Sequence, residues 1–231
     1  MEYTRLAGES SAYLDAREQL RVAEVDLMQR QERVAEMRRA LPLGPVVDDY
    51  VFLEGPRSLN DGDTPVSTVR LSELFTGTDR ALVVYHLMYG KAQTEPCPMC
   101  TQWIDGLNGV ANHLAQNVDF VVVAAAAPVA LRAHARNREW NRLRLLSCAD
   151  NTFKYDLRSE DADGSQDSTM SVFALDADNK VCHTYTVRPT MSPDVRERGI
   201  DLMCATWNVL DLTPNGRGDW YSSLDYGLSV R

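Results

Sequence analysis

Two cysteines three positions apart, in the stretch Glu95-Pro96-Cys97-Pro98-Met99-Cys100-Thr101, stand where a strand-like run gives way to a helix-like one. Before them, Arg80 to Met88 is short, β-branched and nearly continuously apolar, the pattern of a strand buried on both faces of a sheet. After them, Cys100, Ile104, Leu107, Ala111 and Leu114 recur at helical spacing and form one apolar face. Pro98 suits an early helical position, because its missing N–H has no intrahelical partner there and its φ is already helical. Cys97 then falls at or near the N-cap, with Cys100 one turn further in on the buried side.

That asymmetry has chemical content. The free N–H groups and partial positive charge of a helix N-terminus stabilise a thiolate at Cys97, below the free-cysteine pKa of about 8.5. Cys97 is therefore the expected nucleophile, and Cys100 the resolving thiol that attacks it from within. Two other readings fit the same pair. A metal-binding Cys-x-x-Cys module needs a second Cys or His pair at similar spacing; Cys148, Cys182 and Cys204 are far apart, and no two of the four histidines form a close pair. The thiols can also be silent core residues. No metal and no cofactor is expected.

A chain of 231 residues buries a sizeable core, and one domain with an appendage suits it better than two full domains. The net charge of −9 argues against a nucleic-acid-coating surface. No apolar run is long enough to span a bilayer, and the N-terminus lacks a basic region followed by an apolar stretch. Five irregularly spaced cysteines do not form a secreted disulfide framework. The expected location is the cytoplasm, where a close cysteine pair is more often catalytic or metal-binding than a structural staple.

Residues Ser11 to Leu41 form a long charged helix candidate, with Tyr13, Leu20, Leu27, Val34 and Leu41 repeating every seven positions. Ala16, Ala23 and Met37 add a second line broken by Arg30, which makes a narrow seam of the kind that helix dimers bury. Pro42 ends it. A homodimer through this helix is one expectation, and packing along its own domain is the other. A connector with a strand at Tyr50 to Leu53 follows, and Ser67 to Phe75 leads a short strand into a helical turn. Val118 to Ala126 is the second strong buried-strand signal, and Pro128 opens a helix to about Trp140. Leu143 to Cys148 is a further strand candidate; Asp150 to Leu157 is irregular and aromatic. Met170 to Leu175 and Lys180 to Val187 alternate around Asp176-Ala177-Asp178-Asn179 and predict an antiparallel hairpin. Asp201 to Leu212 predicts a final helix. The expected organisation is a helical extension over 1–45, a domain over 46–214 and a mobile polar tail over 215–231.

A strand, a Cys-x-x-Cys helix, a βα unit, a hairpin and a last helix occur in the order of thioredoxin-like folds. The chain more specifically resembles a bacterial thioredoxin-like family catalogued as domain of unknown function 899. The residues that carry this are Arg39-Ala40-Leu41-Pro42, Asp49-Tyr50-Val51-Phe52, Leu71-Ser72-Glu73-Leu74-Phe75, and Val84-Tyr85-His86-Leu87-Met88-Tyr89-Gly90 leading to Cys97-Pro98-Met99-Cys100. Ser171-Val172-Phe173, His183-Thr184-Tyr185 and Leu210-Asp211-Leu212-Thr213-Pro214 complete the match. The resemblance implies an α/β, thioredoxin-like (peroxiredoxin-type) mixed sheet flanked by helices, with the dithiol at the tip of its first helix. Thiol-disulfide reductases of this fold set a cis-proline before the first hairpin strand, facing the cysteines. Here that strand begins Ser168-Thr169-Met170-Ser171, which shifts the expected substrate from a peptide to a small disulfide, thiol or peroxide. A peroxidase also wants Thr or Ser and Arg near the nucleophile; Thr94 and Thr101 are close in sequence, and no arginine is assignable.

Around the dithiol, His86 and Tyr89 are candidates for assisting proton transfer to the leaving sulfur, although a buried histidine is more often a satisfied core residue. Pro98, Met99, Thr101 and Trp103 are the candidate substrate-binding residues. Cys148, Cys182 and Cys204 lie in predicted strands or a helix and read as buried, inert thiols. The expected function is a thiol-disulfide oxidoreductase or thiol peroxidase-like protein, recharged by a cellular dithiol reductant. The alternative from another class is a non-catalytic thioredoxin-fold protein that serves binding or assembly.

Overall fold

The computed structural model describes residues 5–194 and 203–226. The chain divides into two units, Met1–Pro42 and Leu43–Arg231. The first is built on helix α1, Ser11–Arg39, which Ser10 caps by accepting the Tyr13 N–H at 3.2 Å. Arg38 and Arg39 sit in its last turn, where cations favour the helix dipole. The helix closes two residues before the predicted Leu41, and none of its residues is buried. Its surface is laced by ion pairs such as Arg21 with Glu18.

The second unit is a seven-stranded mixed sheet in the order β2-β1-β5-β4-β3-β6-β7. Its strands are β1 (Val51–Glu54), β2 (Ser67–Arg70), β3 (Leu82–His86), β4 (Asp119–Ala124), β5 (Arg144–Ser147), β6 (Thr169–Leu175) and β7 (Val181–Val187). Helix α2 (Pro98–Leu114) joins β3 to β4 and α3 (Pro128–Asn137) joins β4 to β5, so these three strands run parallel. This is the crossover arrangement that parallel neighbours require. β6 returns antiparallel to β3, with Tyr85 opposite Met170 and His86 opposite Thr169, and β7 pairs antiparallel with β6. The order β4-β3-β6-β7, with helices after β3, β4 and β7, is a thioredoxin-like arrangement.

Side chains of β3 alternate between two cores. Tyr85 joins Val122, Leu145, Ile104, Leu131 and Trp140 beneath α2 and α3. Leu82 and Val84 join Val121, Val123, Leu146, Phe153 and Phe173 on the opposite face. The period of two along a strand sets this division. The loop before β2 is held by Arg132 of α3, whose buried guanidinium donates to the carbonyls of Pro56, Ser58 and Gly62 and to Asp63.

Several expectations are refined. The predicted helix from Pro128 stops at Asn137, and Glu139 takes φ 58°. The irregular run after Asp150 contains a four-residue helix, α4 (Phe153–Asp156), started by Asn151 Oδ1 accepting the Phe153 N–H. The final helix, α5, spans Ala205–Leu210; Asp201 and Leu202 of the predicted segment lie outside the described residues. Of the segment expected to be a mobile tail, residues 227–231 lie outside the described residues, and two earlier ones make contacts: Trp220 meets Trp207 edge to face, and buried Ser222 donates to Gln102. The segment's polar composition hid these two anchors.

Candidate active site

The last residues of β3 and the first turn of α2 are tied into one unit. Beyond β3, Leu87 N–H donates to Val123 O at 2.9 Å, and Tyr89 N–H donates to Leu87 O at 2.8 Å. Cys97 N–H then returns to Met88 O at 3.0 Å, which closes the loop. Within it, Tyr89 Oη donates to Thr94 O at 3.1 Å and Gly90 N–H donates to Gln93 Oε1 at 2.5 Å. Cys97 is the N-cap of α2 and Pro98 its first residue, as the sequence predicts. Thr101 secures the turn by donating both its N–H and its hydroxyl to Cys97 O.

Both cysteines are free thiols; Cys97 is partly exposed and Cys100 has no exposed surface. Burial pushes the Cys100 thiol up, but hydrogen bonds from Cys97, from the Ser168 and Tyr85 hydroxyls and from the Met88 N–H reverse this and bring it down to about 6. Cys97 is driven the other way, by its hydrogen bond to Cys100 and by burial, although the N–H groups of Met99 and Cys100 favour its thiolate. The pair therefore shares one proton between two sulfurs, and loss of that proton is what readies it for chemistry. The N–H groups that favour the Cys97 thiolate are those the sequence expects from the helix N-terminus. The sequence could not show the Tyr85 and Ser168 hydroxyls beside Cys100.

Those hydroxyls come from elements distant in sequence. Tyr85 and Leu87 project to the dithiol face, while His86 projects to the other. There His86 stacks on Phe153, with Nδ1 2.8 Å from Ser159 Oγ and Nε2 3.0 Å from Ser171 Oγ. Strand alternation keeps this fully buried, doubly bonded ring away from the sulfurs. Tyr89 braces the loop through Thr94. Ser168 stands just ahead of β6, where a thiol-disulfide reductase would carry its proline, and its hydroxyl lies 3.0 Å from Tyr85 Oη. Burial pushes the Tyr85 phenol well up, so it stays protonated and can donate. Of the predicted substrate-binding set, Pro98 is partly exposed, whereas Met99, Thr101 and Trp103 are buried. Trp103 packs edge to face on Tyr85, and Thr101 Oγ1 lies 3.2 Å from His134 Nε2.

Cys204 caps α5 and accepts from Gln102 Nε2 at 3.2 Å, while Cys148 donates to Ala124 O at 3.3 Å and is pushed up to about 11 by burial. Cys182 is buried within β7. Among the described residues no group of three or more His, Cys, Asp or Glu side chains is placed to hold a metal ion, and no helix is long and apolar enough to cross a membrane.

Fold and site together define a thioredoxin-fold protein with a free dithiol at the head of its first core helix. The chain belongs to the bacterial family of proteins of unknown function DUF899, whose model matches residues 3–226. No curated protein matches it. Among solved structures it is similar to the mitochondrial 2-Cys peroxiredoxin of Plasmodium falciparum, at 12% identity over 71% of this chain and 91% of that one, with a TM-score of 0.49. It is also similar to AhpC of Mycobacterium tuberculosis, at 17% identity, 74% and 98% coverage and a TM-score of 0.46. A further similar structure is PrxQ of Xylella fastidiosa in a cysteine-to-serine mutant form, at 14% identity, 66% and 89% coverage and a TM-score of 0.45.

Proposed function

We propose that this protein is a dithiol oxidoreductase that reduces a small disulfide or peroxide, with Cys97 as the attacking sulfur and Cys100 as the resolving one. The observation that carries this reading is the contrast within the pair: one thiol reaches solvent, and its neighbour is fully buried beside the Tyr85 and Ser168 hydroxyls. An outside substrate meets Cys97 alone. The proton that the two sulfurs share sits on Cys100 as Cys97 attacks.

With a disulfide, the Cys97 thiolate bonds to one substrate sulfur and expels the other as a thiolate, which takes up a proton. Cys100 then gives up its proton and bonds to Cys97, releasing the second substrate thiol. The products are two thiols and a Cys97–Cys100 disulfide. With a peroxide, Cys97 takes one oxygen as a sulfenic acid and releases an alcohol or water; Cys100 then condenses with it, releasing water. A cellular dithiol reductant returns the pair to thiols. Ser168 in place of a proline removes the platform on which a peptide strand would pair, which favours small substrates.

The test offers reduced protein insulin disulfide, hydrogen peroxide and a small disulfide in parallel. Consumption of the peroxide or the small disulfide, with a two-hydrogen mass loss confined to the Cys97–Cys100 peptide, is the expected result. Unchanged turnover in Cys97→Ser would remove the proposal. Zinc held by the purified protein and released on alkylating the pair would replace it with a metal site.

A further inference from the structure

Lys154 of α4 is 1% exposed, and its ammonium donates to Leu87 O at 2.7 Å. It forms no ion pair among the described residues. Burying an ammonium against a single carbonyl is costly, and lysine is almost never fully buried without a partner. The short helix is nonetheless pinned around it. Asn151 Nδ2 donates to Val51 O at 2.6 Å, and the N–H groups of Ser159 and Glu160 both return to Lys154 O.

The carbonyl that Lys154 grips is half of the Leu87–Met88 peptide unit. The other half is the Met88 N–H, which favours the Cys100 thiolate, and the Met88 carbonyl accepts the Cys97 N–H at 3.0 Å. In a trans peptide the C=O and N–H point in opposite directions, so one rigid plane has the lysine on one side and the sulfur on the other. A cation on the oxygen withdraws electron density from the amide and strengthens its N–H as a donor, as in any polarised hydrogen-bond chain.

The anionic groups facing Lys154 are Cys148, Cys100, Glu160 and Asp167. Burial keeps Cys148 protonated at neutral pH. Asp167 is paired with Arg188, and Glu160 accepts from Gln166 at 2.9 Å. Cys100, like Glu160, is met by neutral donors. Tyr85 and Cys97 are the titratable groups facing Cys100 from β3 and α2, and burial holds the Tyr85 phenol protonated.

We propose that Lys154 is a positioning residue for the dithiol, acting on Cys100 through the Leu87–Met88 peptide from the opposite face of the sheet. The assignment rests on the oxidoreductase reading of the pair, and it is tested without turnover. The thiolate absorbance of the reduced protein near 240 nm is titrated in wild type, Lys154→Gln and Lys154→Met. Removing the cation should raise the midpoint by about one pH unit in Lys154→Met, with Lys154→Gln, a neutral donor, in between. An unchanged midpoint in folded Lys154→Met overturns the proposal.

If Lys154→Met does not fold, the wild type answers by reciprocity. The Lys154 Cε resonance, titrated in lysine-labelled protein, should shift its midpoint downward when the dithiol is oxidised, because the facing thiolate is lost. An unmoved resonance is equally fatal. Lack of turnover on every substrate would sink the oxidoreductase reading and leave both titrations interpretable.

Discussion

Tyr85 Oη and Ser168 Oγ lie 3.0 Å apart, although 83 residues separate them in the chain, and both act on the Cys100 sulfur. One hydroxyl can therefore donate to the other while the second donates to sulfur. Tyr85→Phe and Ser168→Ala should each raise the thiolate midpoint, by roughly half to one pH unit, and slow alkylation of the reduced protein at neutral pH. Ultraviolet titration of the two variants checks this; superimposable curves would mean that the hydroxyls serve packing alone.

Reduced protein should gain stability as pH rises between about 6 and about 8.5. The Cys100 value in the folded chain lies below that of an unfolded cysteine. Its contribution is thus fully present above the unfolded value and lost as pH falls through 6. Cys97 is shifted the opposite way, so its effect opposes further gain above the window. Urea midpoints of wild type and Cys100→Ser, measured across this range, should diverge with rising pH.

Acid should weaken the fold through its histidines. Burial holds His86 well below the usual histidine range, and burial followed by the Arg138 charge brings His134 down to about 4. Both stay neutral in the folded chain while an unfolded chain binds protons below about 6.5, so stability falls from there downward. His134→Gln should flatten the loss between pH 6.5 and 4 in urea titrations, and an unaltered slope would exclude His134 as its source.

Arg132→Met should cost about 3 kcal/mol, because three loop carbonyls lose a buried cationic donor. Asp63 keeps its contacts to Arg136, which limits the damage on the carboxylate side. Chemical unfolding provides the measurement; a change below about 0.5 kcal/mol, ordinary for a surface site, would contradict the clamp.

Tyr13, Leu20, Leu27 and Val34 are exposed along α1 at seven-residue spacing, the arrangement that a second helix covers in a dimer. Removing residues through Leu41 should convert a dimer into a monomer by light scattering, and Leu20→Asp with Leu27→Asp should do the same in the full-length chain. An unchanged mass would refute the pairing.

Much of this architecture was readable from the sequence. Two β-branched runs, the Pro98 helix start and the Asp176–Asn179 turn each carry a local signal that tertiary packing reinforces. The dithiol's position at the head of α2 follows from the same signals. Its surroundings do not. Tyr85 reaches Cys100 and His86 does not because of a single step in strand phase, and a run apolar on both faces does not reveal which face α2 covers. Ser168 meets Tyr85 only through the β3–β6 register. Lys154 gave no burial signal at all: a lysine between two aromatic residues in a short irregular stretch looks like solvent-facing surface.

Because Cys100 offers no surface to solvent, reagents from outside encounter one thiol where the motif holds two. Hyperoxidation of the inner sulfur would require the first turn of α2 to unwind. The rate at which Cys100 is modified in the Cys97→Ser protein is therefore a clock for that unwinding, readable by mass spectrometry before any substrate has been found.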